Sequence, residues 1–420
     1  MKRGVLAFIL SIAMIAPVCA PVYADANDGT VDANNTVSIS TDITPSITSP
    51  NTSGNTTAAG TVDAYNTNTN MADSVNSSFN ASVIIDTLTV DQAAQYAINA
   101  SSTISGYSDT AATNNENIDS LKDQFNTATD YGTVLSLAVQ IMQAQTKTIQ
   151  NSNNANLARD QLRYSIMNLF ASIISAQNSL TLLDQSLDIQ QKQLKIAKVK
   201  YNLGYMSKLD MDTQTNTYNQ KVASRQTQQI AIDNAFISLN KSMGTTLNKQ
   251  YNLILDVGEY KPVGDINLSG AVASAIANDP SVVNQQGNVD VANYQIQMYD
   301  PDVSASSLDD LNRSLNSTQR TLSDTQSNVA QKVISAYNNI KNEEVSYSNA
   351  VLALEALNIQ LPITQKQLEL GKKTQLDLDQ LQYQIAQQQE TIRSLAVTHA
   401  INVMQFNEPA TLSGGSGGMN

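Results

Sequence analysis

The chain has no tryptophan, one histidine and one cysteine in 420 residues, and aromatic side chains make up 5% of it. A single cysteine, Cys19, allows no disulfide framework within the chain. One histidine rules out the His/Cys spacings that hold zinc, and neither a nucleophile triad nor a phosphate-cradling glycine loop is present. Composition therefore points away from an enzyme, a metal site or a bound cofactor. Positive charge is also short: 24 Lys and Arg face 37 Asp and Glu, for a net −13, which argues against nucleic acid as a partner. Charged residues of either sign reach only 15%, so the polar surface is built mainly from Asn, Gln, Ser and Thr.

The chain opens with Lys2 and Arg3, an apolar run from Val5 to Ala16, and the small-residue site Val22-Tyr23-Ala24. Residues 1–24 read as a signal peptide, too short to span a membrane, which marks an exported protein with no membrane-spanning segment in its mature part. Cys19 falls inside it, and Ala16-Pro17-Val18 ahead of Cys19 is a poor lipidation signal. Residues 25–82 are dominated by Asn, Thr, Ser, Asp and Gly, too poor in large apolar side chains to offset the entropy of ordering, and are expected to be a disordered linker.

Beyond the linker the sequence is organised by a long apolar stripe. Leu162, Ile166, Leu169, Ile173, Ala176, Leu180, Leu183, Leu187, Gln190, Leu194, Ala197 and Tyr201 follow in alternating steps of four and three. That spacing is the 3.5-residue period of a coiled-coil seam, with Gln190 its one amide. Adding 167 to each number gives Val329, Val333, Ala336, Ile340, Glu343, Tyr347, Ala350, Leu354, Leu357, Leu361, Thr364 and Leu368, where only Glu343 and Thr364 break the pattern. The match runs on: Leu203-Gly204 aligns with Leu370-Gly371, and Leu209-Asp210-Met211-Asp212 with Leu376-Asp377-Leu378-Asp379. The chain is read as a tandem repeat of a helical hairpin, mainly α, with at most a few short strands.

Each repeat, 83–262 and 263–410, opens with a short amphipathic helix. In the first, Thr89 or Asp91 caps a helix through Ala93 and Ala97 that continues to about Asn126. In the second, a helix through Ala271 and Ala275 ends at Asn278-Asp279-Pro280, and another runs from Ser281 to Pro301. After six-residue breaks, 127–132 and 301–306, come long helices over Thr133–Leu203 and Ser307–Leu370, then returning helices over Lys208–Met243 and Gln375–Phe406. Tyr251–Val257 reads as a strand that pairs with Val83–Ile85. Residues 411–420 form a Gly/Ser-rich tail. A second apolar line on the long helices, Leu182, Ile189, Ile196 and Leu203 with Ala356, Ile363 and Leu370 as its echo, gives each long helix neighbours on two sides and favours a closed ring of helices.

These features together resemble the TolC-like outer membrane efflux proteins over about residues 86–410. Leu88-Thr89-Val90-Asp91-Gln92-Ala93 is similar to the family's repeat start, Tyr201-Asn202-Leu203-Gly204 with Ser207, Leu209 and Asp210 to its tip motif, and Ala235-Phe236, Leu239-Asn240 and Met243-Gly244 to the end of its returning helix. The resemblance implies a homotrimeric α-barrel, a passive duct for efflux or export, working with an adaptor protein and a membrane pump in the cell envelope. One departure stands out. The family places two membrane strands in each of the slots 127–132 and 301–306, and six residues without alternation cannot supply a spanning strand of about 9–11. The membrane barrel is therefore expected to be missing, which suits a host lacking an ordinary outer membrane or one with another protein as its pore. The competing reading is a secreted coiled-coil structural or surface protein without transport activity. A periplasmic adaptor fits less well, since its short-stranded domains are absent.

Family resemblance also selects site residues. Asp377, with its first-repeat counterpart Asp210, matches an acidic tunnel constriction at the tip, while the family's second gate carboxylate falls on Gln380 and the nearest acid is Asp379, aligned with Asp212. Ser207-to-Asp210 and Thr374-to-Asp377 equally have the spacing of a helix cap. Gly204 and Gly371 suit a left-handed helix end. Ser207, Lys208, Lys372, Lys373 and Thr374 beside them are candidates for adaptor contact or a plain solvated turn. His399 aligns with seam residue Ile232 and reads as a satisfied packing residue, not a metal ligand.

Overall fold

The computed structural model describes residues 86–413. The signal peptide, Cys19, the whole of the expected linker, Val83–Ile85 and the tail from residue 414 lie outside the described residues. In order, the elements are β1 (Thr87–Thr89), α1 (Val90–Ala100), α2 (Ser102–Thr127), α3 (Tyr131–Asn202), α4 (Lys208–Met243), β2 (Asn252–Ile254), α5 (Leu268–Asn278), α6 (Pro280–Gln297), α7 (Leu308–Glu369) and α8 (Gln375–Asn407), with a terminal 3-10 turn, Pro409–Ser413.

Every one of these eight helices starts on a side chain that accepts a hydrogen bond from the first turn: Thr89, Ser101, Asp130, Ser207, Asn267, Asp279, Ser307 and Thr374. At Thr89 the cap is reciprocal, with Gln92 reaching back to the Thr89 backbone N–H at 3.1 Å. Ser101 corrects the sequence reading, which carried the opening helix through to Asn126. The chain breaks there and Ser101 caps a new helix through Ile104 N–H at 3.3 Å. The break is the counterpart of Asp279, and only the second copy carries the proline that made it legible.

The long helices α3 and α7 have 72 and 62 residues. At 1.5 Å per residue α3 extends roughly 108 Å. Helices α1, α2 and α4 together match α3 in length to within one residue, and α5, α6 and α8 together equal α7. Each half is thus one continuous helical strand beside one assembled from pieces. Among the described residues α3 is also the one helix long and apolar enough to cross a membrane. Its Ile166, Phe170 and Ile173, however, are completely buried against Ile232, Phe236 and Leu239 of α4 and Ala93 and Ala97 of α1.

A second core joins Val329, Val333 and Ile340 of α7 to Ala275, Val282 and Phe406. A third, smaller one holds Ile118 and Leu121 of α2 on Leu137 and Ala144 of α3. Helix α8 packs on both long helices, and α6 reaches across from α7 to α3. At that crossing the contact is amide on amide: Asn284 accepts from Asn153 at 2.9 Å and donates to Asn154 at 3.1 Å, and Gln150 donates to the Asn284 carbonyl at 3.0 Å.

Strand β2 pairs in parallel with β1, Thr87 opposite Asn252 and Thr89 opposite Ile254. The expected partner, Val83–Ile85, lies outside the described residues, and the pairing that is described uses Thr87–Thr89. Asn240, fully buried, fixes the approach to β2 by donating to the carbonyls of Leu247 and Lys249 at 3.0 and 2.6 Å. The slots where the family inserts membrane strands are turns: residues 128–130 link α2 to α3, and residues 298–307 link α6 to α7. The two turns meet, since a Cβ on Gly132 would lie 3.2 Å from Val303 Cβ.

Gly244 ends α4 at φ +66, and an added Cβ there would come within 2.8 Å of Ala100 Cβ in α1, whereas Gly371, at φ +70, faces open space. Alanine in the left-handed region costs about 1–2 kcal/mol. Gly371→Ala is expected to lose about that much in urea unfolding, and Gly244→Ala distinctly more. Equal losses would show that α1 does not seat against the α4 terminus.

Candidate functional site: the two hairpin tips

The two hairpins turn in the same way. In the first, Leu203 N–H bonds the Val199 carbonyl at 3.1 Å, Gly204 the Tyr201 carbonyl at 3.0 Å, and Tyr205 the Lys200 carbonyl at 2.8 Å. In the second, Leu370, Gly371 and Lys372 repeat this onto Lys366, Leu368 and Gln367 at 3.1, 2.9 and 2.8 Å. Gly204 and Gly371 sit at φ +76 and +70, and only glycine does so without strain.

The returning helices begin immediately afterwards. Ser207 Oγ accepts from Asp210 N–H at 3.1 Å and donates to Asp210 Oδ2 at 2.8 Å. Thr374 does the same with Asp377 at 3.2 and 2.8 Å, and its own N–H donates to Asp377 Oδ2 at 2.7 Å, completing a reciprocal cap. The bonds from the Thr374 backbone and hydroxyl, and then the Lys373 charge, hold the Asp377 carboxyl below the ordinary aspartate value. Asp377 and Asp210 are therefore both bound into their own helix starts. Asp212, Lys208, Lys372 and Lys373 are exposed, and Lys373 Nζ lies 3.8 Å from Asp377.

Asp379 is placed differently. Its side chain is 15% exposed and accepts from Lys192 of α3 at 2.9 Å and from Gln375 at 2.8 Å. Burial pushes its carboxyl up, but the bonds from Gln375 and Lys192 outweigh that and leave it below its ordinary value. Lys192 also holds Asp188 at 2.6 Å. Sequence reasoning named Asp379 but missed Lys192, whose visible signal was only the i,i+4 spacing to Asp188. Asn178–Glu390 at 3.1 Å and Tyr164–Glu408 at 3.0 Å continue the α3–α8 contact in about the same register. From that register the first tip stands roughly 9 Å beyond the second.

The first tip is also apolar on its surface: Tyr201, Leu203, Tyr205 and Leu209 are exposed, and Leu370 is the exposed residue of this kind at the second. Above the tip the interior turns polar. Gln190, the one amide of the first seam, is buried and donates to Gln214 at 3.2 Å, and Ser186 accepts from Lys221. No group of three or more His, Cys, Asp or Glu that could hold a metal occurs among the described residues. His399 is buried as expected of a seam residue, but its Nε2 has no hydrogen-bond partner, so it is not the satisfied residue the sequence suggested.

No family model matches the chain, and no curated protein matches it in sequence. Solved structures do match in fold. The Campylobacter jejuni CmeC outer membrane channel superposes with a TM-score of 0.58 at 8% identity, over 78% of this chain and 86% of that one. A membrane protein from Pseudomonas aeruginosa gives 0.58 at 10%, over 76% and 90%. The outer membrane protein VceC from Vibrio cholerae gives 0.54 at 9%, over 77% and 96%.

Lys192→Met is expected to raise the Asp379 carboxyl pKa and lower stability by about 1–2 kcal/mol, discounted because Lys192 is 44% exposed. A carboxyl held low in the fold stabilises above its unfolded pKa and loses that contribution as pH falls through the folded value. The variant's acid loss should therefore begin at higher pH. A cycle with Asp379→Asn checks the pair, and strictly additive losses would show that it does not couple α3 to α8.

At identities this low the likeness carries the fold alone: the chain has the TolC-like helical fold of the outer membrane efflux channels.

Proposed function

We propose that three copies of this chain close into a hollow helical cylinder that serves as a passive efflux or export duct in the cell envelope, docked through its tips to an adaptor protein and a membrane pump. The observation that carries this reading is a stripe on α7. Val345, Leu352, Ile359, Ile363 and Leu370 are each more than half exposed in the single chain, and they follow one another at seven, seven, four and seven residues. Such a stripe is a coiled-coil seam without a partner. Ile196 and Leu203 on α3, members of the second apolar line, are likewise exposed. Helices of sister copies are the occupants whose own unpartnered stripes match it in period.

The exposed Tyr205, Leu209 and lysines of the tips fit the adaptor contact. The short turns at the other end leave no strand long enough to span a membrane there, so the duct ends where a barrel would begin. Its passage across an outer layer then falls to another protein, or to a host without an ordinary outer membrane.

Sedimentation of the purified protein, with electron-microscopic views down the axis, is expected to give a trimer with a central hole. Leu352→Glu with Ile359→Glu should dissociate it, since each apolar side chain contributes about 1.5–3 kcal/mol when buried. A well-folded single chain at micromolar concentration would remove the duct and leave a structural rod.

Asp377→Asn separates two roles at the second tip. A changed cation preference of the assembled duct supports a constriction. An unchanged preference with a lower melting temperature leaves the helix cap alone.

A further inference from the structure

Charge is spread unevenly along the chain. From Ile189 to Leu209, across the end of α3, the first tip and the start of α4, stand Lys192, Lys195, Lys198, Lys200 and Lys208, with no Asp or Glu among them. The rest of the chain holds 19 Lys and Arg against 37 Asp and Glu. Lys192 is taken by Asp188 and Asp379. Lys195, Lys198, Lys200 and Lys208 are exposed, and none of them makes an ion pair among the described residues.

The same turn is where apolar side chains are least covered. Tyr205, Leu209 and Leu203 are 81%, 76% and 64% exposed, the highest values for large hydrophobic side chains among the described residues. Tyr205 lies at the apex, between the left-handed Gly204 and the cap Ser207, and Leu209 is the second residue of α4. Leu203 also belongs to the stripe that faces sister copies in the proposed duct; Tyr205 and Leu209 do not. At the second tip the same two positions are Lys372 and the half-buried Leu376. That tip also stands roughly 9 Å short of the first.

An oily apex with a basic rim fits a surface that offers negative charge outside and an apolar layer behind it. The choice of cation separates lipid from protein as the occupant. Protein interfaces select Arg and disfavour Lys, whose compact ammonium is strongly hydrated, and residues 189–209 contain no Arg. At a bilayer surface the ammonium stays in water beside the phosphates while its stem lies on apolar surface, and Tyr is favoured at headgroup depth. Lys198, Lys200 and Lys208 lie within roughly 8 Å of the turn along their helices, about the screening length at physiological salt.

We propose that the apex of the first hairpin tip docks on an anionic lipid bilayer, with Tyr205 and Leu209 entering the headgroup layer and Lys198, Lys200 and Lys208 facing lipid phosphates. The contact lies on the membrane and does not cross it. It goes beyond the duct reading, which gives the tips to an adaptor. An adaptor gripping the flanks of the hairpins is compatible with it, and one enclosing the first apex is not. A single chain suffices for the contact, so its failure and the failure of trimer assembly are separate results.

The chain has no tryptophan, so Tyr205→Trp places a single indole at the apex. Its emission is expected to shift to the blue, and to be quenched by brominated acyl chains, on vesicles of phosphatidylcholine mixed with phosphatidylglycerol. With phosphatidylcholine alone it should not change. Flotation of the purified wild type with the mixed vesicles should show binding that weakens from about 0.01 to about 1 M salt, as the screening length falls from about 30 to about 3 Å. Lys198→Gln, Lys200→Gln and Lys208→Gln together are expected to weaken binding about a hundredfold, near fivefold for each charge. Tyr205→Ser with Leu209→Ser should weaken it about tenfold or more. Lys122→Gln with Lys147→Gln, exposed toward the opposite end of the long helix, should leave it unchanged. Binding that is absent, equal on neutral and anionic vesicles, or kept by the lysine or apex variants overturns the proposal and leaves the first apex to a protein partner. Should either variant fail to fold, the Tyr205→Trp emission and the salt series decide it alone.

Discussion

A helix of 72 residues has no means of burying its own side chains, and everything in this chain answers that constraint. The 3.5-residue seams of α3 and α7 are long apolar lines that need helices running beside them for their whole length. The chain supplies those helices in pieces, α1, α2 and α4 for one and α5, α6 and α8 for the other, cut to the same total length. Capping residues fix where each piece starts, and left-handed glycines fix where the chain turns back. What the described residues do not supply is a partner for the second face of α7, where the exposed Val345, Leu352 and Ile359 continue the same period. Burial among the described residues is therefore incomplete, and the proposed association of copies would continue folding by the same interaction.

Polar groups set the register that an apolar seam leaves loose. A seam of Leu, Ile and Ala tolerates sliding by a heptad, since one apolar contact replaces another. The Asn284 amide, bonded to Asn153 and Asn154, does not tolerate it, because a slip would leave half-buried amides unpaired. Gln190 with Gln214, Lys192 with Asp379, and Tyr164 with Glu408 act likewise along α3. Three of these contacts join the first half to the second, beside the apolar packing of Val397, Ile401 and Met404 on the first core.

Much of this was legible because periodicity and turn chemistry are local. The seam, the Gly204 and Gly371 turns, the Ser207 and Thr374 starts and the α4 span could be read from spacing alone. Where the reading missed, the deciding contact was distant in sequence or carried no strong local signal. Ser101 ends α1 without a proline. The partner of β2 lies slightly downstream of the expected strand. Lys192 looked like a neighbour of Asp188, and its reach to Asp379 spans 187 residues. The family's second gate position falls on Gln380, and the acid displaced by one from it, Asp379, is paired with Lys192.

Exceptions in the pattern carried more information than the pattern. Gln190 and Glu343 each interrupt a long apolar line, and composition alone gave no reason to treat them differently. In the structure Gln190 meets an amide across the hairpin, while Glu343 accepts from Asn402 at one oxygen and leaves the other without a hydrogen-bond partner. The comparison is internal to the chain, since the first hairpin fills the same two positions with Ala176 and Ile232 and packs well. An apolar solution at this level of the bundle is thus demonstrably open to the fold.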